Sequence, residues 1–211
     1  GYTSSAHFSG SVDIARRFGD NDQWGFRING SARRGDIAIN EEFHSSYVLG
    51  AMLDYDGGPF RAALNLNYQR LNQTYWRGQV GLAPGIAIPR VPDADTNYSQ
   101  PWSQILTKDF FGTLSLEYDL SEEAMLYAKI GARDGREDQT TASITVTDAV
   151  TGAAGGSGSY VPREDNNESA TAGIRIKLAG GGVSHEINAG GAISWQVNRN
   201  AYDFAATSYL N

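Results

Sequence analysis

The chain has 211 residues, enough for one large domain or at most two, and its 17 Lys+Arg against 24 Asp+Glu give a net charge of -7, which argues against a general nucleic-acid binder with a basic face. Zero cysteines exclude disulfides, thiolate-ligated metals and a thiol nucleophile, and His7, His44 and His185 lie too far apart to share a HExxH-type helical face. No apolar run reaches the roughly 18 residues of a membrane helix, whereas a β-barrel, which shows lipid only every second residue, stays open.

Taken in chain order, the residues repeat with a period of two. Phe8 to Phe18 is a first, weak alternation, and Trp24 to Arg33 is the clearest. There Trp24, Phe26, Ile28, Gly30 and Ala32 form one apolar parity against Gly25, Arg27, Asn29, Ser31 and Arg33. Ser46 to Tyr55 follows weakly, then Phe60 to Gln69, where Ala62, Leu64, Leu66 and Tyr68 alternate with Ala63, Asn65, Asn67 and Gln69. Gly112 to Tyr118, Leu126 to Arg133, Ala170 to Leu178 and His185 to Trp195 complete about eight strands of roughly 8 to 11 residues, the length of a tilted membrane strand.

The connections alternate in length. Gly19–Asp22, Asp56–Pro59, Asp119–Glu123 and Gly180–Gly182 are short and carry turn residues, whereas Gly35 to Ser45, Tyr75 to Lys108 and Asp134 to Glu168 are long. Short turns on one rim and long loops on the other are the habit of an outer-membrane barrel. All six prolines (Pro59, Pro84, Pro89, Pro92, Pro101, Pro162) are expected in connections, because a paired strand disfavours them. Phe18, Trp24, Tyr55, Phe60 and Tyr118 flank the short turns and are expected to form a periplasmic aromatic girdle.

If the apolar parity faces lipid, the other faces a lumen. It holds Arg27, Asn29, Arg33, Asn65, Asn67, Gln69, Thr113, Ser115, Glu117, Lys129, Arg133, Arg175 and Lys177, too polar a set for the dry interior of a small barrel. A wet or plugged lumen belongs to barrels of about 16 to 22 strands, so the chain is expected to be part of a larger wall.

No Ser/His/Asp or Cys/His set and no phosphate-binding Gly loop is present, and no enzyme activity, metal site or covalent cofactor is expected. Asp20, Asp22 and Pro92–Asp95 lack the spacing of a calcium loop and read as turn caps. In the long connection, Tyr75, Trp76 and Arg77 with Tyr98 and Trp102 set aromatic rings beside a guanidinium, a combination suited to aryl-bearing or anionic ligands or to packing a compact lid. Arg133 and Arg136 could draw an anion to the mouth, or serve as a solvated rim with internal ion pairs. The stretch Gly152 to Ser159 reads as the tip of an extracellular hairpin.

The segments Asp13–Asp20 and Trp24–Asp36 resemble the second and third barrel strands of TonB-dependent siderophore receptors. Leu53–Asp56, Pro92–Trp102 and Leu116–Ser121 resemble later pieces of the same barrel, so the resemblance runs along almost the whole chain. It implies an all-β antiparallel meander forming an arc of a 22-stranded transmembrane barrel, with Gly1 to Ser5 as the end of the first strand and its loop. It further implies uptake of a ferric siderophore as transported ligand, contact with outer-membrane lipid and coupling to the TonB complex through a plug that these residues do not include. Two rival readings are a plug-less porin or autotransporter barrel, and a soluble β-sandwich that binds glycans through Trp76 and Trp102.

Overall fold

The computed structural model describes residues 1–3 and 5–209. The chain is one antiparallel meander. Strands β1 (Tyr2–Thr3), β2 (His7–Phe18), β3 (Trp24–Asp36), β4 (Phe43–Gly57) and β5 (Phe60–Thr74) follow one another, and β6 (Val80–Leu82) lies within the long connection. Then come β7 (Gln104–Asp119), β8 (Ala124–Val146), β9 (Ala154–Gly180), β10 (Val183–Asn200) and β11 (Asp203–Tyr209). The sheet order is β1-β2-β3-β4-β5-β7-β8-β9-β10, so each long strand pairs with its sequence neighbour and none crosses over.

No hydrophobic residue among those described is buried, because no second layer packs on the sheet. That disposes of the sandwich, in which two apolar faces would meet. The apolar side chains stay at the surface in ordered rows instead. One register row runs Phe26, Leu53, Leu64, Leu114, Ile130, Ala170 and Ile193 from β3 to β10, on a single face.

The tight turns are those that the residues dictate. Gly181 and Gly182 both take positive φ, 60° and 80°, the pair of left-handed residues that a two-residue hairpin requires. Ser121 Oγ accepts hydrogen bonds from the amides of Glu123 and Ala124, both at 3.1 Å, closing the turn between β7 and β8.

The strands run longer than the sequence suggests. β8 has 23 residues and β9 has 27, so the long connection expected over Asp134 to Glu168 shrinks to 147–153, and Gly155–Ser159 belong to β9. Pro162 also corrects an expectation: it lies inside β9, opposite Asp138. The ladder accommodates it by a break on the other side. There β10 ends with Asn200 opposite Arg163, β11 resumes with Asp203 opposite Tyr160, and the Ala201 amide donates to the Pro162 carbonyl at 3.2 Å.

Candidate functional site

Two faces and one loop carry the features that matter. On the apolar face the short-turn aromatics form a contiguous girdle. Phe18 stacks on Trp24 at 6.3 Å, Trp24 meets Tyr55 at 4.7 Å, Tyr55 meets Phe60 at 6.0 Å, and Phe60 pairs with Tyr118 in the register. At the opposite end Tyr47, Tyr68 and Phe110 close the same apolar stripes on β4, β5 and β7, a second girdle that sequence reasoning missed. From Tyr47 to Tyr55, Phe60 to Tyr68 and Phe110 to Tyr118 each strand brackets its apolar stretch with rings, over the roughly 9 to 11 residues of a membrane crossing.

On the polar face carboxylates pair with Arg27, Arg61 and Arg133 between neighbouring strands, with Arg17 across the intervening Gly25 of β3, and with Arg163 within β9. Arg17 meets Asp54 at 2.9 Å, Arg27 meets Asp13, and Arg163 meets Asp165 at 2.6 Å. Arg61 reaches Asp119 at 2.6 and 2.7 Å and Glu117 at 3.2 Å. Asp109, 3% exposed, accepts from Gln69 Nε2 at 2.9 Å and from Arg133 Nε at 2.8 Å. Near the short turns the Tyr127 hydroxyl donates to Asn188 at 3.0 Å, and the Arg175 guanidinium lies 5.1 Å from the Tyr127 ring centre. A face built this way tolerates water and still holds its side chains in place.

The long connection is a tied structure. At its neck the Tyr75 amide donates to the Ser103 carbonyl at 2.8 Å, continuing the ladder past Thr74 and Gln104. Ser103, 1% exposed, donates its hydroxyl to the Trp76 carbonyl at 3.0 Å and lies 3.1 Å from the Ser99 hydroxyl. Glu42, 3% exposed, accepts the Arg77 amide at 3.2 Å and lies 2.8 Å from His44 Nε2, which binds this connection to the one before β4. The Asn97 amide group bridges the carbonyls of Asn40 and Tyr75 at 3.0 and 2.8 Å. Burial of its phenol and the nearby Glu41 raise the Tyr75 pKa. Farther along, β6 pairs in parallel with Ile144–Val146 of β8, taking the place that β7 vacates.

The sequence-derived candidates divide on this geometry. Arg77 spends its guanidinium inside the loop, on the carbonyls of Ala94 and Thr96 at 2.8 and 3.0 Å and 5.5 Å from the Tyr98 ring centre. Tyr75, Trp76 and Tyr98 are half-buried in the same lid, whereas Trp102 stays 47% exposed beside Gly158. Arg133 and Arg136 are not one group: three positions apart on a strand, they lie on opposite faces. Arg133 is held by Asp109 on the polar face, and Arg136 lies 3.4 Å from Asp134 on the other. Of the residues that sequence reasoning passed over, Glu42, Ser99 and Ser103 lack any local motif, and Asp109 could have been found from its parity beside Gln69.

No family model matches the chain. It is similar to the ferrichrome receptor FcuA of Yersinia enterocolitica, 30% identical over 210 residues, which are all of this chain and 28% of that protein. The fold matches BauA, the ferric preacinetobactin receptor of Acinetobacter baumannii, with a TM-score of 0.86 and 29% identity over 97% of this chain and 32% of the other. It also matches the ferripyoverdine receptor of the Pseudomonas aeruginosa outer membrane, with a TM-score of 0.85 over 94% of this chain and 27% of the other; at 13% identity this likeness concerns the fold alone. The chain thus spans about a third or less of the length of the proteins that it matches. With apolar stripes on one face and ion pairs on the other, the chain is similar over nearly its whole length to a stretch of the β-barrel wall of outer-membrane ferric siderophore receptors.

Proposed function

We propose that the chain forms part of the wall and outer loops of a receptor that takes up a ferric siderophore, with energy from a TonB complex acting through a plug. The observation that supports this reading is the similarity, along nearly all of this chain, to about a third of a ferrichrome receptor and of a ferric preacinetobactin receptor, together with a polar, ion-paired face too wet for a small closed barrel. The wall residues encircle the plug and the outer loops meet the chelate first. In this reading Trp102 is the lid residue that contacts the ligand, a role supported by its exposed ring, while Arg77 and Tyr98 hold the loop's shape. Arg133 acts through the wall, fixing Asp109, and Arg136 faces away from the lumen. Uptake follows from differential binding: the loops favour the closed, ligand-bound arrangement, and plug movement releases the chelate inward.

Radiolabelled iron uptake tests the reading. Iron-starved cells lacking the gene should fail to accumulate iron from at least one ferric hydroxamate or catecholate, and loss of TonB should reproduce the defect. Unchanged uptake across such a panel, with altered permeation of small sugars, would instead identify a diffusion pore.

A further inference from the structure

The polar face is not uniform. On β2 to β7 it is crossed by ion pairs, Arg17 with Asp54, Arg27 with Asp13 and Arg61 with Asp119. On β8 to β10, below the Asp109–Arg133 contact, it sinks into an open trough of about 460 Å³, within the roughly 300 to 1,000 Å³ of small-molecule sites. The floor of the trough is one register row, Gly131 opposite Ser169 and Ser169 opposite Ser194. Gly131 keeps it low, since even a Cβ there would stand 3.3 Å from Ser169 Oγ. Longer side chains rise along the upper edge: Phe111, 36% exposed, and the amides of Asn167 and Gln196, which are partners in the register. Lys129 stands at the lower edge, between Ser115 and Thr171.

The polar groups round the trough are unspent. Among the described residues no carboxylate comes within ion-pair distance of Lys129. The side-chain hydrogen bonds of this part of the face are made above the trough by Gln69, Arg133 and Asn198, and below it by Tyr127. None of them takes in Asn167, Ser169, Ser194 or Gln196. Gly131 and Ser194 follow Ile130 and Ile193 of the apolar row, so the trough lies at the depth of the membrane crossing. Donors and acceptors left free at that depth serve an occupant of the lumen at no cost to the bonding of the wall. One free cation with several neutral amides and hydroxyls matches a ligand of low net charge that presents oxygen acceptors, and the Phe111 ring offers it an apolar surface. A ferric hydroxamate has that character. A ferric tris-catecholate, with three negative charges, would leave two of them unmet.

We propose that this trough is a transit station for a ferric hydroxamate, a second ligand site on the lumen wall that the chelate occupies once the plug has moved. The inference rests on the receptor reading given above. Lys129 donates to the iron-bound oxygens, Asn167 and Gln196 hold the amide groups of the ligand, and Phe111 covers its apolar edge. These contacts replace the ones that the chelate gives up at the outer loops. They therefore speed passage without adding to the affinity measured from outside.

Uptake of radiolabelled ferrichrome by cells producing the full-length receptor that contains this chain tests the station. The Lys129→Gln/Asn167→Ala/Gln196→Ala variant should lower the maximal rate about tenfold, the scale of losing several hydrogen bonds made only in transit, and leave the half-saturating concentration unchanged. Lys129→Arg alone should keep the wild-type rate, as should Asn29→Ala, on the same face at β3. Ser194→Phe fills the trough without removing a charge and should slow uptake in the same way, which decides the matter if the triple variant does not assemble. Wild-type uptake by Ser194→Phe, or by an assembled triple variant, would overturn the station. So would a slower triple variant that also admits vancomycin, because its residues would then be holding the plug closed. A wild type that takes up a ferric tris-catecholate and no ferrichrome would overturn the hydroxamate station and leave the receptor reading standing; a wild type that takes up neither would end both.

Discussion

Arg61 on β5 grips Asp119 on β7 through two hydrogen bonds of 2.6 and 2.7 Å, one from each terminal nitrogen, on the lumen side beside the short turn that follows Asp119. Replacing Arg61 with Ala leaves Glu117 and Asp119 without their shared cation. Both side chains are about one-third exposed, so solvent screening limits the loss to about 1 kcal/mol, read as a lower unfolding midpoint in detergent. Arg61→Lys should recover only part of it, because an ammonium cannot reproduce the two-pronged contact.

Asp109 and Arg133 should respond unequally to truncation. Arg133→Ala leaves a carboxylate at 3% exposure with Gln69 as its remaining partner and should cost about 3 kcal/mol. Asp109→Ala frees an arginine that is 44% exposed and can turn to water, at about 2 kcal/mol. Urea unfolding of the two variants gives the order directly, and the reverse order would contradict this account of the pair.

Glu42 should control the order of the lid. Its loss releases the Arg77 amide and His44 together, so Glu42→Ala should speed tryptic cleavage after exposed Arg90 by about tenfold, equivalent to about 1.4 kcal/mol of lost local stability. Cleavage at the wild-type rate would mean that the Ser99–Ser103 and Asn97 contacts suffice.

Trp102→Ala should weaken uptake of the ferric ligand by about tenfold in half-saturating concentration, as for an aromatic anchor, with no change in the proteolysis pattern. Arg77→Ala should change both, because that side chain ties the carbonyls of Ala94 and Thr96.

The hairpin tip at 147–153 should loosen in acid. The amides of Val150 and Thr151 donate to the Asp148 carboxylate and lower its pKa below the ordinary 3.8. A group whose pKa is lowered by folding contributes fully above its unfolded value and loses that contribution as the pH falls through the folded one. Protease nicking of the tip should therefore be constant above about pH 5 and rise below the ordinary carboxylate range. Asp148→Ala should show the fast rate at neutral pH.

Much of the wall is legible in the residues, because lipid imposes a period of two from the Trp24 stripe to the Ile193 stripe, and short turns need Gly or Ser at fixed places. That signal stops at the membrane boundary. Beyond Arg136 both faces of β8 and β9 meet water, so Thr140, Thr141, Ser157 and Ser159 continue the ladder with no apolar parity, and the strands look like loop. Pro162 reads as a connection for the same reason, since its break in the ladder depends on where β10 ends. The Glu42 contact with the Arg77 amide and the Ser99–Ser103 contact are not legible locally, because the first depends on how two connections fold together and the second on how the long one folds back on itself.

The 23- and 27-residue strands of the β8–β9 hairpin put more than half of their length beyond the lipid, since a crossing needs only about 9 to 11 residues. The turn at 147–153 is thus the part of this chain that antibodies, phages and proteases reach first. A short peptide tag spliced beside Val150, 95% exposed, would be displayed at the cell surface while the girdles, the ion-paired lumen and the lid stay untouched.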